Sequence, residues 1–341
     1  MSGPARPRYQ ELLVIIAYVA AVLLIAALLA PVFFAGGQSL LTYANAHQWQ
    51  GTALWGGLHS FLEKTSFPSY FDRTALLAAL AGLYPLMKYL RISGVEMVGS
   101  VPWNRGLYQV IAAFSLAVGL LAILSGICVW TGVCRIKPDA GWLRIGAPLA
   151  SGFTVACLEE FLFRGAMLTT LRRSLGPGGA AFWTTFLFSI LHFLKPPDHD
   201  ALPAASVTWA SGFWIIPQLF RGFADWKYVI AEFLLLAGVG WGLARARLSS
   251  HGLWAGIGLH AGWVAGMKHF SQLATPSKAF YRGDFFPWFV ENHCKSIVSP
   301  FVGLVPVAIV VLTGALLLIL IRLSGWNVES VQPSFPQTHS Q

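Results

Sequence analysis

Charge is what this chain of 341 residues has least of. Only 11% of its residues are Asp, Glu, Lys or Arg, and 56% are hydrophobic. A soluble domain carries about a quarter charged residues, so an ordinary water-soluble globule is excluded. Acids are the scarcer sign, 14 against 23 Lys and Arg, for a formal net charge of +9. That excess does not point to nucleic acid, because the basic residues form neither a dense run nor a helical stripe. Most lie just outside apolar segments, where such residues set topology and meet anionic headgroups of the lipid bilayer. Cysteine is rare too. Cys128, Cys134, Cys157 and Cys294 show neither metal-type pairs nor a disulfide framework, and Cys157 reads as a small packing residue. There is no glycine-rich phosphate loop after a strand, no Gly-x-Ser-x-Gly elbow and no His-Glu-x-x-His zinc helix.

What is present is a series of apolar runs close to the roughly 20 residues that span a bilayer. Eight spanning segments can be drawn, at 12–35, 73–91, 109–134, 145–171, 177–195, 227–247, 251–270 and 300–323. The fold class expected is all-α, a polytopic membrane bundle of about eight transmembrane helices. By region, 1–144 holds the first helices and a long connection, 145–270 the helices with polar residues, and 271–341 a polar loop, the last helix and a tail. Arg6 and Arg8 precede an apolar run from Leu12 to Phe34 that is too long for a signal peptide, so it reads as an uncleaved first helix. Leu58, Phe61 and Leu62, followed by Lys64, predict an interfacial amphipathic helix. The connection from Pro196 to Trp226 is rich in Pro, Trp and Phe and reads as a dip or lid. Asp198, His199 and Asp200 within it read as a solvated turn. The tail after Gly325 has a disordered composition. Arg172 with Arg173, and Arg245 with Arg247, read as cytoplasmic loops. With eight spans both termini are then cytoplasmic, in an integral protein of a bacterial inner membrane. Arg135, Lys137 and Arg144 run against that orientation.

The scarce charges are oddly placed. Glu159, Glu160 and Arg164 fall inside an apolar stretch from Ile145 to Thr170. Each charge near the centre of a spanning helix costs about 3 kcal/mol, while a Leu or Phe offsets only about 0.3 to 0.6. Residues retained at that cost are functional candidates. Glu160 and Arg164 are four apart, on one helix face and in the favourable order. Glu159 points about 100° away and has no local partner, which leaves it available for proton transfer. His192 closes the fifth apolar segment, and His260 lies within the seventh. A glutamate with two histidines either holds a metal with an open position or activates water by acid–base work. The bland alternative is a charge cluster that merely braces one helix against another.

The ordered set Glu159-Glu160-x-x-x-Arg164, then Phe188-x-x-x-His192, then a Gly-rich run from Phe233 to Gly242, Leu253-Trp254 and Leu259-His260-Ala261 resembles the CPBP family. These are the CAAX proteases and bacteriocin-processing intramembrane proteases, which include the Ras-converting endopeptidase. The resemblance covers roughly residues 145–270. It implies an eight-helix membrane endopeptidase acting near the C-terminus or leader of a membrane-associated protein or peptide. Glu159 would be its general base and His192 the partner of that base. His260 would help bind the oxyanion, with Glu160, Arg164 and Phe188 in support. The residues leave open whether such a site uses zinc, held by Glu159, His192 and His260, or a glutamate-activated water without a cofactor. One position departs from the family pattern. Its last motif places Asn or Asp four residues after the histidine, and here that residue is Val264, which offers neither a hydrogen-bond donor nor a metal ligand. A catalytically silent scaffold or immunity-type binding protein of the same fold is therefore the alternative. A proton-coupled transporter ranks below both, because no internal repeat of the inverted-repeat kind is visible.

Overall fold

The computed structural model describes residues 9–49, 55–194, 202–291 and 300–326. In chain order the elements are α1 (Gln10–Ala46), α2 (Gly56–Lys64), α3 (Phe67–Leu90), α4 (Gly94–Val98), α5 (Trp103–Trp130), β1 (Cys134–Ile136), α6 (Gly146–Glu160), a π-helical segment (Phe161–Met167), α7 (Leu168–Phe193), α8 (Ser211–Gln218), α9 (Trp226–Ser250), α10 (Trp254–Leu273), β2 (Ala274–Pro276), α11 (Lys278–Tyr281) and α12 (Leu304–Leu323). The fold is an all-α bundle, and the protein is integral to a membrane. Four of the described helices, α1, α5, α9 and α12, are long and apolar enough to cross one. The expected segments at 73–91, 145–171, 177–195 and 251–270 are also helical, but they carry more of the polar residues.

Several boundaries differ from the sequence reading, each for a local reason. α1 runs 37 residues, roughly 55 Å, well past the expected end near residue 35. Glycine and proline at 31, 36 and 37 do not break it. The break between the fourth and fifth segments is a single residue, Gly176, with φ +71° and Pro177 directly after it. Arg245 and Arg247 are not in a loop: α9 continues through them to Ser250. Arg247 is buried, and its guanidinium donates to the carbonyls of Glu96 (2.9 Å) and Met97 (3.4 Å). It pins α4, so it is a weaker topology marker than its sequence position suggests. β1, which follows α5, and β2, which follows α10, form a two-stranded antiparallel ribbon that pairs Cys134 with Pro276. Segments this short carry no periodicity to read. The stretch around Leu58, Phe61 and Leu62 is helical, as α2, with Leu62 buried and Phe61 exposed under the Arg73 guanidinium at 4.5 Å. The turn at Asp198–Asp200 and the tail beyond Trp326 lie outside the described residues.

The chain forms two compact units, and neither is continuous in sequence. One comprises residues 1–91 and 190–229, the other 92–189 and 230–341. In the first, α1, α3 and α8 pack around Ala26, Ala27, Ala30, Phe34, Phe67, Phe71, Ile215 and Leu219.

The second unit is organised on α10. This helix is buried along nearly its whole length because glycine recurs every fourth residue and lets neighbouring backbones approach. A Cβ on Gly258 would lie 2.3 Å from the Val110 carbonyl of α5, and one on Gly262 2.7 Å from the Ala117 Cβ. α6 packs on another face of α10, where a Cβ on Gly152 would meet the Ala261 carbonyl at 2.8 Å. α10 is thus clasped between α5 and α6, with Lys268 of α10 donating to Ser151 of α6.

Candidate active site

The last residues of α6 meet the second turn of α10 in the second unit. Glu160 and Arg164 are fully buried, and Arg164 Nη1 donates to Glu160 Oε1 at 3.0 Å. The i,i+4 pair is thus present, although Arg164 lies in π-helical rather than α-helical backbone. Single π turns inside α-helices recur at functional sites, and this one starts directly after the two glutamates.

Arg164 is held by further contacts. Its Nη2 donates to the Gly240 carbonyl of α9 at 3.2 Å, and its guanidinium lies over the Phe188 ring at 4.5 Å. A planar fork with five donors meets an acid, a carbonyl and an aromatic face in a way that lysine cannot. Gly240 makes this possible, because a Cβ there would press on Phe188 at 3.1 Å and on Thr185 at 3.2 Å. The role of this glycine carbonyl was invisible in the sequence. The only signal was the alternation Gly238, Gly240, Gly242 on an otherwise apolar helix.

His260, 5% exposed, stands between the two glutamates. Its Nδ1 is 3.1 Å from Glu160 Oε1, and its Nε2 is 3.7 Å from Glu159 Oε2. Glu159 therefore faces a histidine from another helix, as the grouping of a glutamate with histidines anticipates, and Glu160 is more than a brace for Arg164. One carboxylate oxygen of Glu160 serves both the guanidinium and the imidazole. Its other oxygen, Oε2, is buried without a hydrogen-bond partner among the described residues. Gly256 allows that carboxylate its place, since a Cβ there would lie 2.7 Å from Oε2. The Phe188 ring completes the wall, edge-to-face with His260 at 6.2 Å and with Phe163 at 5.2 Å. The Glu159 side chain is 26% exposed against 0% for Glu160. The two adjacent acids thus have different environments, Glu160 fully buried and Glu159 partly exposed, although the Glu159 oxygen that faces His260 is itself buried.

The second unit brings together Glu159, Glu160, Arg164, Phe188 and His260. His192 lies one turn beyond Phe188 on α7 and is half-buried. The division between the units falls between Ser189 and Ile190, so His192 belongs to the first. Val264 follows His260 by one turn of α10 and is also half-buried. A zinc ion held by protein needs at least three ligands. Among the described residues no group of three or more His, Cys, Asp and Glu side chains is arranged to hold a metal ion. Glu159 Oε2 and His260 Nε2 supply two donor atoms only.

Chemically the cluster is a carboxylate with some access to its surroundings, set against an imidazole whose far nitrogen is held by a second, buried carboxylate. Such a set can take a proton from water and steady developing charge. Compared with known proteins, residues 141–266 match the family model described as type II CAAX prenyl endopeptidase Rce1-like. The matched span runs from just before α6 to the middle of α10 and contains every residue of the cluster. The chain matches no curated protein and no solved structure.

Proposed function

We propose that this chain is an active endopeptidase of the CAAX (CPBP) type whose general base is Glu159, a reading supported by the match of residues 141–266 to the type II CAAX prenyl endopeptidase Rce1-like family model. The observation that carries this reading is the split between adjacent acids: Glu160 is spent on Arg164 and His260, while Glu159 is partly exposed beside His260 Nε2. Two atoms 3.7 Å apart can share one water at about 2.8 Å from each. Glu159 takes a proton from that water as its oxygen bonds to the substrate carbonyl carbon. The C–N bond then breaks, and the same proton passes to the leaving amine. His260, with its Nδ1 side anchored on Glu160, keeps Nε2 aimed at the reacting centre and donates to the oxyanion when that nitrogen carries a proton. His192 is assigned as the partner of Glu159. No step is routed through a metal. The substrate is the C-terminal region or leader of a membrane-associated protein, and both termini of the chain are assigned to the cytoplasmic side.

The test is membrane proteomics of cells carrying wild type or Glu159→Gln. An unprocessed C-terminus or leader should accumulate only in the variant, and His192→Ala and His260→Ala should reproduce it. Identical processing in all four strains overturns the reading. Val264, in the position where the family motif has an amide or carboxylate, favours a second reading, a silent binding protein of the same fold. That reading expects a partner retained equally by wild type and Glu159→Gln, with no cleavage in either.

A further inference from the structure

A second recess lies in the same unit, lined by none of the residues above. It is a cavity of about 720 Å³, within the range of ligand pockets, where the start of α5, the turn from α9 to α10 and the end of α12 converge. Its lining includes Arg105, Gln109, His251, Tyr108 and Trp326, and no acidic residue. No carboxylate pairs with Arg105 among the described residues. The 28-residue helix α5 begins at Trp103, so its positive end adds to the field of Arg105.

Gln109 gives an independent sign of a ligand. It is 1% exposed, and its Oε1 is buried without a hydrogen-bond partner among the described residues. A buried amide left in that state costs free energy unless something fills it. An amide presents an acceptor and a donor side by side, which suits a group carrying both an anionic oxygen and a hydroxyl.

Location narrows the ligand. α5 and α12 are both long and apolar enough to cross a membrane, and the cavity lies at their ends, where spanning helices meet the headgroup layer. Tyr108 and Trp326 meet edge-to-face at 5.7 Å on its border, as aromatic residues do at that depth. We propose that this cavity binds the phosphate of an anionic phospholipid headgroup, with Arg105 on the phosphate, His251 beside it and Gln109 on a headgroup hydroxyl.

Native mass spectrometry of the full chain in detergent tests the proposal with three probes: dihexanoyl phosphatidylglycerol, dihexanoyl phosphatidylcholine and inorganic phosphate. Phosphatidylglycerol should bind most tightly. Arg105→Gln and Gln109→Leu should each weaken it by about tenfold, the loss of one good polar contact, while Arg135→Gln leaves it unchanged. Arg105 is exposed, so its variant decides the matter even if Gln109→Leu fails to fold. Inorganic phosphate binding as tightly as the lipid, with the same sensitivity, overturns the lipid assignment and identifies a free anion as the ligand. Phosphatidylglycerol binding that is equal in wild type and Arg105→Gln overturns the site altogether.

Discussion

The imidazole of His260 meets the carboxylate of Glu160, a hundred residues earlier in the chain, at 3.1 Å. That contact is supported from several elements. Arg164 holds the same carboxylate oxygen, Gly256 leaves room for the other, and Phe188 walls the ring. It converts a charge pair local to one helix into a link between two helices, and it orients the nitrogen that faces Glu159.

Substitution of the two glutamates should separate stability from activity. Glu160→Gln leaves Arg164 buried without its counter-charge and should destabilise the protein by roughly 3 to 5 kcal/mol. Glu159→Gln alters a partly exposed group and should shift stability by no more than about 1 kcal/mol while abolishing cleavage. Denaturant titration in mixed micelles, run alongside a peptidase assay, reads both effects. Equal destabilisation by the two variants contradicts the division of roles.

Arg164→Lys keeps the charge but loses the second donor to the Gly240 carbonyl and the face contact with Phe188. A loss of about 1 to 3 kcal/mol is expected. The same unfolding titration checks it, and a variant as stable as wild type shows that charge alone suffices.

Glycine-to-alanine changes in and beside α10 should rank by what the new methyl meets. Gly258→Ala drives a Cβ to within 2.3 Å of a backbone carbonyl on α5 and should cost about 1 to 3 kcal/mol or more. Gly256→Ala presses on the Glu160 carboxylate at 2.7 Å, so it should lower both stability and catalytic rate. Gly126→Ala on α5 meets nothing within 4 Å and should be neutral. Thermal unfolding and rate measurements on the three variants establish the order, and a Gly126→Ala as damaging as Gly258→Ala refutes it.

Acid should loosen the cap on α4. The Ser93 backbone N–H donates to Glu96 at 2.8 Å, and Arg173 pairs with the same carboxylate. Together they hold its pKa down at about 2, against an ordinary 4.5. A group whose pKa falls on folding stabilises the folded state above its unfolded value, and it loses that contribution as pH drops toward the folded one. The difference in unfolding midpoint between wild type and Glu96→Gln should therefore be full at neutral pH and shrink between pH 4.5 and 2. A difference independent of pH rules out the carboxylate as its source.

Much of this architecture was legible in the chain because hydropathy reports directly on the solvent. Backbone polar groups in lipid must be satisfied within the segment, so long apolar runs become helices, and the helices appear close to where the runs lie. The i,i+4 relation of Glu160 to Arg164 is likewise set by local geometry and survives even in a π turn. Ends were less legible, because packing overrides composition there. α1 outruns its apolar core, and α9 absorbs Arg247 because the carbonyls of α4 receive its guanidinium. The ribbon that pairs Cys134 with Pro276 depends on two distant segments meeting.

By itself, the sequence determined that the chain is a membrane-embedded helical bundle and that Glu159, Glu160, Arg164 and His260 carry unusual cost. Both follow from transfer free energies that each residue contributes wherever its neighbours are. The four-residue spacing from Glu160 to Arg164 already set the paired glutamate apart from Glu159. Only the tertiary structure decided how Glu160 is locked and what Glu159 faces. What distinguishes them is the imidazole delivered by α10, the carbonyl delivered by α9 and the missing side chain at Gly256, none of which is near them in sequence.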